Sequence, residues 1–122
     1  MQKDIDIIIY GATGFTGQLC VKYFQSLNTD VNWAIAGRDQ EKLQKVASDN
    51  SVDVEILIAD SDDEVALDIL TSRAKVILST TGPFHRYGSK LVASCVKNSA
   101  NYVDITGENF WVKGLIAKHH EE

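Results

Sequence analysis

Cysteine is scarce in these 122 residues: Cys20 and Cys95 stand alone, neither with a neighbour at metal-ligand spacing. A cysteine-held metal centre is thereby excluded, and two buried thiols in a reducing compartment are expected. Basic charge is also in short supply, with 12 Lys and Arg against 17 Asp and Glu and a formal net charge of −5. Nucleic acid and anionic membrane surfaces demand basic patches that this composition does not offer, so neither is expected as a partner. Any phosphate-bearing ligand has to be held by local donors. No apolar run approaches the roughly 20 residues of a membrane span, and no charged-then-apolar signal region opens the chain. Repeats, low-complexity segments and linkers are absent as well. What remains is one domain, 44% hydrophobic and able to build a core, with a cytoplasmic location expected.

Against that background the stretch Gly11-Ala12-Thr13-Gly14-Phe15-Thr16-Gly17 is the organising element. It follows an apolar run, residues 5–10, whose Ile7, Ile8 and Ile9 suit a parallel strand buried on both faces. Residues 18–27 continue at helical spacing, with Cys20, Phe24 and Leu27 on one face and Gly17 at the start. Glycines between a strand and a helix read as a dinucleotide cradle. Gly11 allows the tight turn, Gly14 removes a Cβ where backbone N–H groups approach a pyrophosphate, and Gly17 lets the helix lie on the strand. The positive helix end then faces the phosphates. The spacing is GxxGxxG, one residue longer in its first interval than GxGxxG; a plain glycine-rich loop is the competing reading.

Strands then alternate with helices. The spacing predicts strands over 32–36, 54–59, 75–80 and 102–105, with turn chemistry at Asn28-Thr29-Asp30 and Gly37-Arg38-Asp39. Asp39 is placed to cap a helix with Leu43, Val46 and Ala47 inward. Ser61-x-x-Glu64 reads as a capping box opening a third helix with Val65, Ile69 and Leu70 buried. A fourth helix takes 89–98 with Leu91, Val92, Cys95 and Val96 inward, and a fifth takes 109–122 with Trp111, Leu115 and Ile116 apolar. Five strands and five helices with short loops imply an α/β, doubly wound parallel sheet in the order 3-2-1-4-5, helices on both faces. Ligands in such sheets sit at the carboxyl strand ends near the switch point, here between strands 1 and 4.

Arg38 ends the second strand, where an acidic residue accepts the ribose 2′-OH of NAD and an arginine pairs with the 2′-phosphate of NADP. A solvated charge is the plain alternative, and Asp39, read first as a cap, is the competing partner for NAD. Asp60 faces either the adenine amino group or its own turn. The stretch Ser79-Thr80-Thr81-Gly82-Pro83-Phe84 presents backbone groups towards a nicotinamide ribose, and also has the composition of a turn. No catalytic set emerges. Tyr87 lies three residues before Lys90, not the four of a YxxxK pair; His85 beside Arg86 reads either as a contact to substrate or phosphate or as a plain loop histidine, and the adjacent His119 and His120 receive no role.

The blocks Tyr10 to Gly17, Trp33-Ala34-Ile35-Ala36-Gly37-Arg38, Gly82-Pro83-Phe84 with Tyr87-Gly88, and Tyr102-Val103-Asp104-Ile105-Thr106-Gly107-Glu108 together resemble the amino-terminal domain of saccharopine dehydrogenase-like oxidoreductases, across essentially the whole chain. The resemblance implies nicotinamide-cofactor contacts from Gly11, Thr13, Gly14, Phe15, Thr16, Gly17 and Arg38, with Gly82, Pro83 and Phe84 near the nicotinamide. With Ala12, Asp60 and Thr81 these form the expected cofactor set, NADP ahead of NAD. It further implies hydride transfer once the domain is joined to a carboxy-terminal domain that supplies small-molecule substrate contacts and much of a homodimer interface. These 122 residues are too few to include that domain, so a truncated chain, inactive alone and self-associating through its fifth strand or last helix, is expected. A non-catalytic NADP sensor and a flavodoxin-like module for another phosphate ligand are the alternatives.

Overall fold

In the computed structural model the described residues are 3–27, 30–82, 84–105 and 108–120, with His85 described by its backbone alone. The β-branched run forms β1 (Ile5–Tyr10), followed by α1 (Phe15–Ser26), β2 (Trp33–Gly37), α2 (Gln40–Asp49), β3 (Glu55–Ile58), α3 (Glu64–Arg73) and β4 (Ala74–Ser79). A short helix α4 (Phe84–Tyr87), then α5 (Ser89–Lys97), β5 (Asn101–Val103) and α6 (Asn109–His119) complete the chain. The sheet has the order β3-β2-β1-β4-β5, and every pairing is parallel, as the helical crossovers require. The expected α/β architecture and strand order are those observed.

Alternation along β1 divides the core. Ile8 and Tyr10 face α3 and α5, packing with Leu67, Leu70, Leu91 and Cys95; Ile9 faces α1 and α2, packing with Val21, Leu43, Val46 and Ala47. A third cluster, Phe84, Val92 and Trp111, joins α4, α5 and α6. Cys95 is buried, which pushes its thiol up to about 12, whereas Cys20 is half-buried.

Several local expectations are corrected. The box Ser61-x-x-Glu64 does not form: the cap of α3 is Asp63, whose carboxylate accepts from Ala66 N at 3.1 Å. Asp60 closes a turn first, its carboxylate taking Asp62 N at 2.9 Å and its carbonyl Asp63 N at 3.0 Å, so Ser61 lies before the helix. On α3 the buried face is Leu67, Leu70 and Thr71; Val65 and Ile69 are 73% and 57% exposed. Leu67 and Val65 are two residues apart, nearly opposite on a helix, so only one set can meet the sheet. Gly17 and Val21 hold α1 down while Cys20, Phe24 and Leu27 are half-buried, and Ile116 on α6 is exposed. The helix α4 was not expected, and residues 28–29 and 121–122 of the predicted elements lie outside the described residues.

A polar network binds α3 to α5. Ser94 Oγ donates to Asp68 Oδ1 at 2.6 Å, Thr71 Oγ1 and Ser94 Oγ are 2.8 Å apart, and Asn98 Nδ2 donates to Thr71 Oγ1 at 2.9 Å. Lys97 Nζ pairs with Asp68 Oδ2 at 2.7 Å. Buried hydroxyls are tolerated between helices only when satisfied in this way. The hydrogen bond from Lys97, then that from Ser94, holds the Asp68 carboxyl below its ordinary 3.8. A carboxyl lowered in the folded state contributes stability above its unfolded value and loses it as pH falls through the folded one. In denaturant titrations, Asp68→Ala is expected to cost about 1 to 2 kcal/mol at neutral pH. That deficit should narrow as the pH drops below 3.8, the ordinary value of the group. A deficit independent of pH would contradict the charged role of Asp68.

Candidate functional site

The carboxyl ends of the strands enclose a cleft of about 330 Å³. Its floor is Tyr10, Gly11, Thr13 and Gly14; one side is Gly37, Arg38 and Ser61 from the ends of β2 and β3, and the other is Thr80, Thr81, Gly82 and Tyr87 beyond β4. This is the switch point, where β2 and β4 flank β1 and their connections leave on opposite faces.

Close backbone approach shapes the floor. Gly11 has φ +87°, and a Cβ there would lie 2.2 Å from Thr81 Oγ1. Its N–H donates to Ala36 O at 2.9 Å. Thr80 locks the end of β4 onto the same turn, its N–H donating to Tyr10 O at 2.9 Å and its hydroxyl reaching Gly11 O at 3.1 Å. Gly17 lies against the turn from below: a Cβ would sit 2.1 Å from Gly11 O, so no larger residue allows α1 this position. A Cβ on Gly14 would meet only Gly11 O at 3.6 Å, and the residue opens onto the cleft.

The helices that follow β1, β2 and β3 are capped differently. Asp39 caps α2 by accepting from Lys42 N at 3.2 Å, and Asp63 caps α3. By contrast, α1 begins at Gly14 with no side-chain cap and no acidic residue in its first turn. Its leading N–H groups and the positive end of its dipole therefore meet the cleft. Arg38, exposed at the rim, makes no ion pair among the described residues. At the opposite strand ends the acidic groups have partners: Arg73 bridges Asp4 at 2.7 Å and Glu55, and Lys75 pairs with Asp6 at 3.1 Å. The arrangement suits an extended anion whose phosphates lie at α1 and whose further charge reaches Arg38.

Tyr10 supports the β3 side. Its buried hydroxyl crosses β2 to donate to Ala59 O at 2.9 Å, and burial, followed by the charge of Asp60, holds its pKa well above the ordinary phenol value. The Asp60–Ser61 turn is thereby fixed beside Arg38.

Of the expected set, Gly11, Thr13, Gly14, Arg38, Thr81 and Gly82 line the cleft. Ala12 is buried in the α1 and α2 core, Gly17 lies beneath the turn, Thr16 is half-buried and Phe15 is 83% exposed at the start of α1. Asp60 is exposed and engaged in its own turn. Phe84 faces away from the cleft into the Val92 and Trp111 cluster, and Pro83 lies outside the described residues. Tyr10, Gly37, Ser61, Thr80 and Tyr87 line the cleft without having been in the set. The strand-end rule points to Tyr10, Gly37 and Thr80, since each ends or directly follows a strand, while Ser61 lies in the turn beyond β3. Among the described residues no group of three His, Cys, Asp or Glu could hold a metal ion, and no helix is long and apolar enough to cross a membrane.

Comparison with known proteins agrees with this geometry. Residues 7–122 match the family model described as saccharopine dehydrogenase NADP binding domain. Trans-acting enoyl reductases of Mycobacterium leprae and Mycobacterium tuberculosis are each 36% identical over 124 residues, covering 99% of this chain. The chain spans 30% of the length of these relatives. Saccharopine dehydrogenase (L-Glu forming) from Saccharomyces cerevisiae superposes with a TM-score of 0.73 at 19% identity, over 91% of this chain and 24% of that one. A short-chain dehydrogenase/reductase from Veillonella parvula in complex with NADP gives a TM-score of 0.63 at 15% identity, over 86% and 48% of the two chains. At those identities the structural likeness carries the fold alone. The sequence match over nearly the whole length carries more: the chain belongs to the saccharopine dehydrogenase NADP-binding domain family, as its motif blocks imply.

Proposed function

We propose that the cleft holds NADP(H) with the pyrophosphate at the start of α1, the adenosine 2′-phosphate at Arg38 and the nicotinamide half along Thr80, Thr81, Gly82 and Tyr87. The observation that carries this reading is the pairing of an uncapped α1 behind Gly14 with a guanidinium at the end of β2 that makes no ion pair among the described residues. The residues present fit the cofactor: the side chain missing at Gly14 leaves room for phosphate oxygens, and Arg38 offers a planar fork for a dianion. Asp39, the competing partner for a 2′-OH, has one carboxylate oxygen engaged in capping α2. Ser61 supplies a second polar group beside Arg38.

The whole protein is proposed to be an NADPH-dependent oxidoreductase in which this domain positions the cofactor and a further part supplies the substrate site. The name of its relatives, trans-acting enoyl reductase, points to reduction of an enoyl group. Bound NADPH would supply the hydride; this chain's residues bind it, orient it and hold one side of the cleft, and none is assigned a catalytic role.

Two tests follow from the geometry. Loss of a charge-assisted fork costs about 1.5 to 3 kcal/mol, so Arg38→Ala should weaken NADPH roughly ten- to hundredfold in calorimetric titration while leaving NADH nearly unchanged. Equal affinity of the unmutated chain for the two cofactors would sink the 2′-phosphate assignment. Gly14 and Gly17 should separate binding from folding. Gly14→Val, whose Cβ would make only an ordinary contact with Gly11 O at 3.6 Å, should abolish NADPH binding with a melting temperature close to wild type. Gly17→Ala should lower the melting temperature sharply, because Gly11 O lies 2.1 Å from the added Cβ. Wild-type NADPH affinity in Gly14→Val would show that the pyrophosphate lies elsewhere.

A further inference from the structure

Glu108 stands at the N-cap position of α6, yet its carboxylate makes no capping bond to its own helix. It reaches instead to the start of α4, where Glu108 Oε2 accepts from Phe84 N at 2.7 Å. One turn further along α6, Trp111 meets the same segment in three ways. Its ring stacks on Phe84 with centroids 6.0 Å apart and planes 25° from parallel. Its Nε1 donates to Ser89 Oγ at 2.8 Å. Its six-membered ring also fills the space where Gly88 would carry a Cβ, 2.8 Å away. Trp111 is 8% exposed and Phe84 7%, so both contacts are buried. The other side of this segment, Thr81, Gly82 and Tyr87, lines the cleft.

A carboxylate that leaves its own helix uncapped in order to bind another helix's first N–H accepts a local cost, since the capping bond it forgoes is favourable. The gain lies in the segment after β4, whose first residue, Thr80, is held by the turn after β1 and whose far end meets α6. The helix α4 has four residues, too few to be stable without tertiary contacts, and its leading N–H needs an acceptor. Glu108 supplies that acceptor and Trp111 supplies the apolar backing.

We propose that Glu108 and Trp111 are positioning residues, a clamp from α6 that holds the β4 side of the cleft in its cofactor-binding shape. The proposal rests on the NADP reading above and adds residues that do not themselves touch the cofactor. Because Arg38 and Ser61 lie across the cleft, the clamp governs the nicotinamide half and leaves the adenosine half alone. A residue that merely stabilises α6 would affect both halves or neither.

The test compares NADPH with 2′,5′-ADP, which carries only the adenosine half, by titration calorimetry on the same chain. In Glu108→Ala, NADPH should bind about tenfold more weakly while 2′,5′-ADP keeps its wild-type affinity. Glu108→Gln retains a side-chain oxygen as acceptor and should restore most of the NADPH affinity. Ser89→Ala removes only the acceptor of the indole N–H and should show the same selectivity at smaller size; it decides the matter if Glu108→Ala does not fold. Equal weakening of both ligands, or unchanged NADPH binding in folded Glu108→Ala and Ser89→Ala, would overturn the clamp while leaving the NADP reading intact. Binding of neither ligand by the unmutated chain would overturn that reading and the clamp together.

Discussion

The contact between Gly17 and the Gly11 carbonyl is the constraint on which the rest of the molecule depends. A methyl group at position 17 would lie 2.1 Å from that oxygen, so the first turn of α1 can rest on the end of β1 only because the side chain is absent. The closeness has two consequences. It brings Val21 down onto Ile9 and the α2 residues, completing the core on one face of the sheet. It also aims the uncapped start of α1 into the space between β2 and β4. Core packing and the placing of the α1 start are therefore set by one glycine, while Gly11, at φ +87° with Thr80 and Thr81 against it, fixes the turn from the other side.

A chain with net charge −5 can still present an anion site because its charges are distributed by position and not by number. Aspartates occupy the starts of α2 and α3, where they satisfy backbone donors, and acids at the amino ends of the strands are paired with Arg73 and Lys75. The start of α1 and Arg38 are left for a ligand. Local backbone donors act over a few ångströms, whereas exposed charges farther from the site than a Debye length of roughly 8 Å are largely screened. Such a site needs no basic surface.

The fold was legible because its signals are redundant. Continuous β-branched runs, turn residues and helical spacing all point to alternating strands and helices, and parallel pairing then follows from the crossovers. The buried face of α3 was legible only in part: Leu70 is buried as read, but Val65, Ile69, Leu67 and Leu70 are similar residues offering two helical stripes, and only the sheet decides between them. Its cap was ambiguous for a related reason, since Asp60, Ser61 and Asp63 can all accept a backbone N–H and the winner depends on where the turn closes. At the site, residues whose chemistry is unusual for their place, such as Gly11, Gly14 and Arg38, were readable. Tyr87 was not, because an aromatic residue at a helix end looks the same in sequence whether it lines a cleft or fills a core. Phe84 shows the converse: a residue of the expected set whose ring serves the Trp111 cluster. The reach of Glu108 to Phe84 N joins segments far apart in the chain and has no local signature.

The central claim is that the turn between β1 and α1 receives the cofactor's pyrophosphate. The most direct measurement is an amide chemical-shift titration of the uniformly labelled chain with NADPH. The account predicts that the largest shifts fall on Gly11, Thr13, Gly14, Phe15 and Thr16, with smaller ones on Arg38, Ser61, Thr81 and Gly82. Largest shifts on the exposed face of α6 or along the edge of β5, with the glycine turn unmoved, would contradict it.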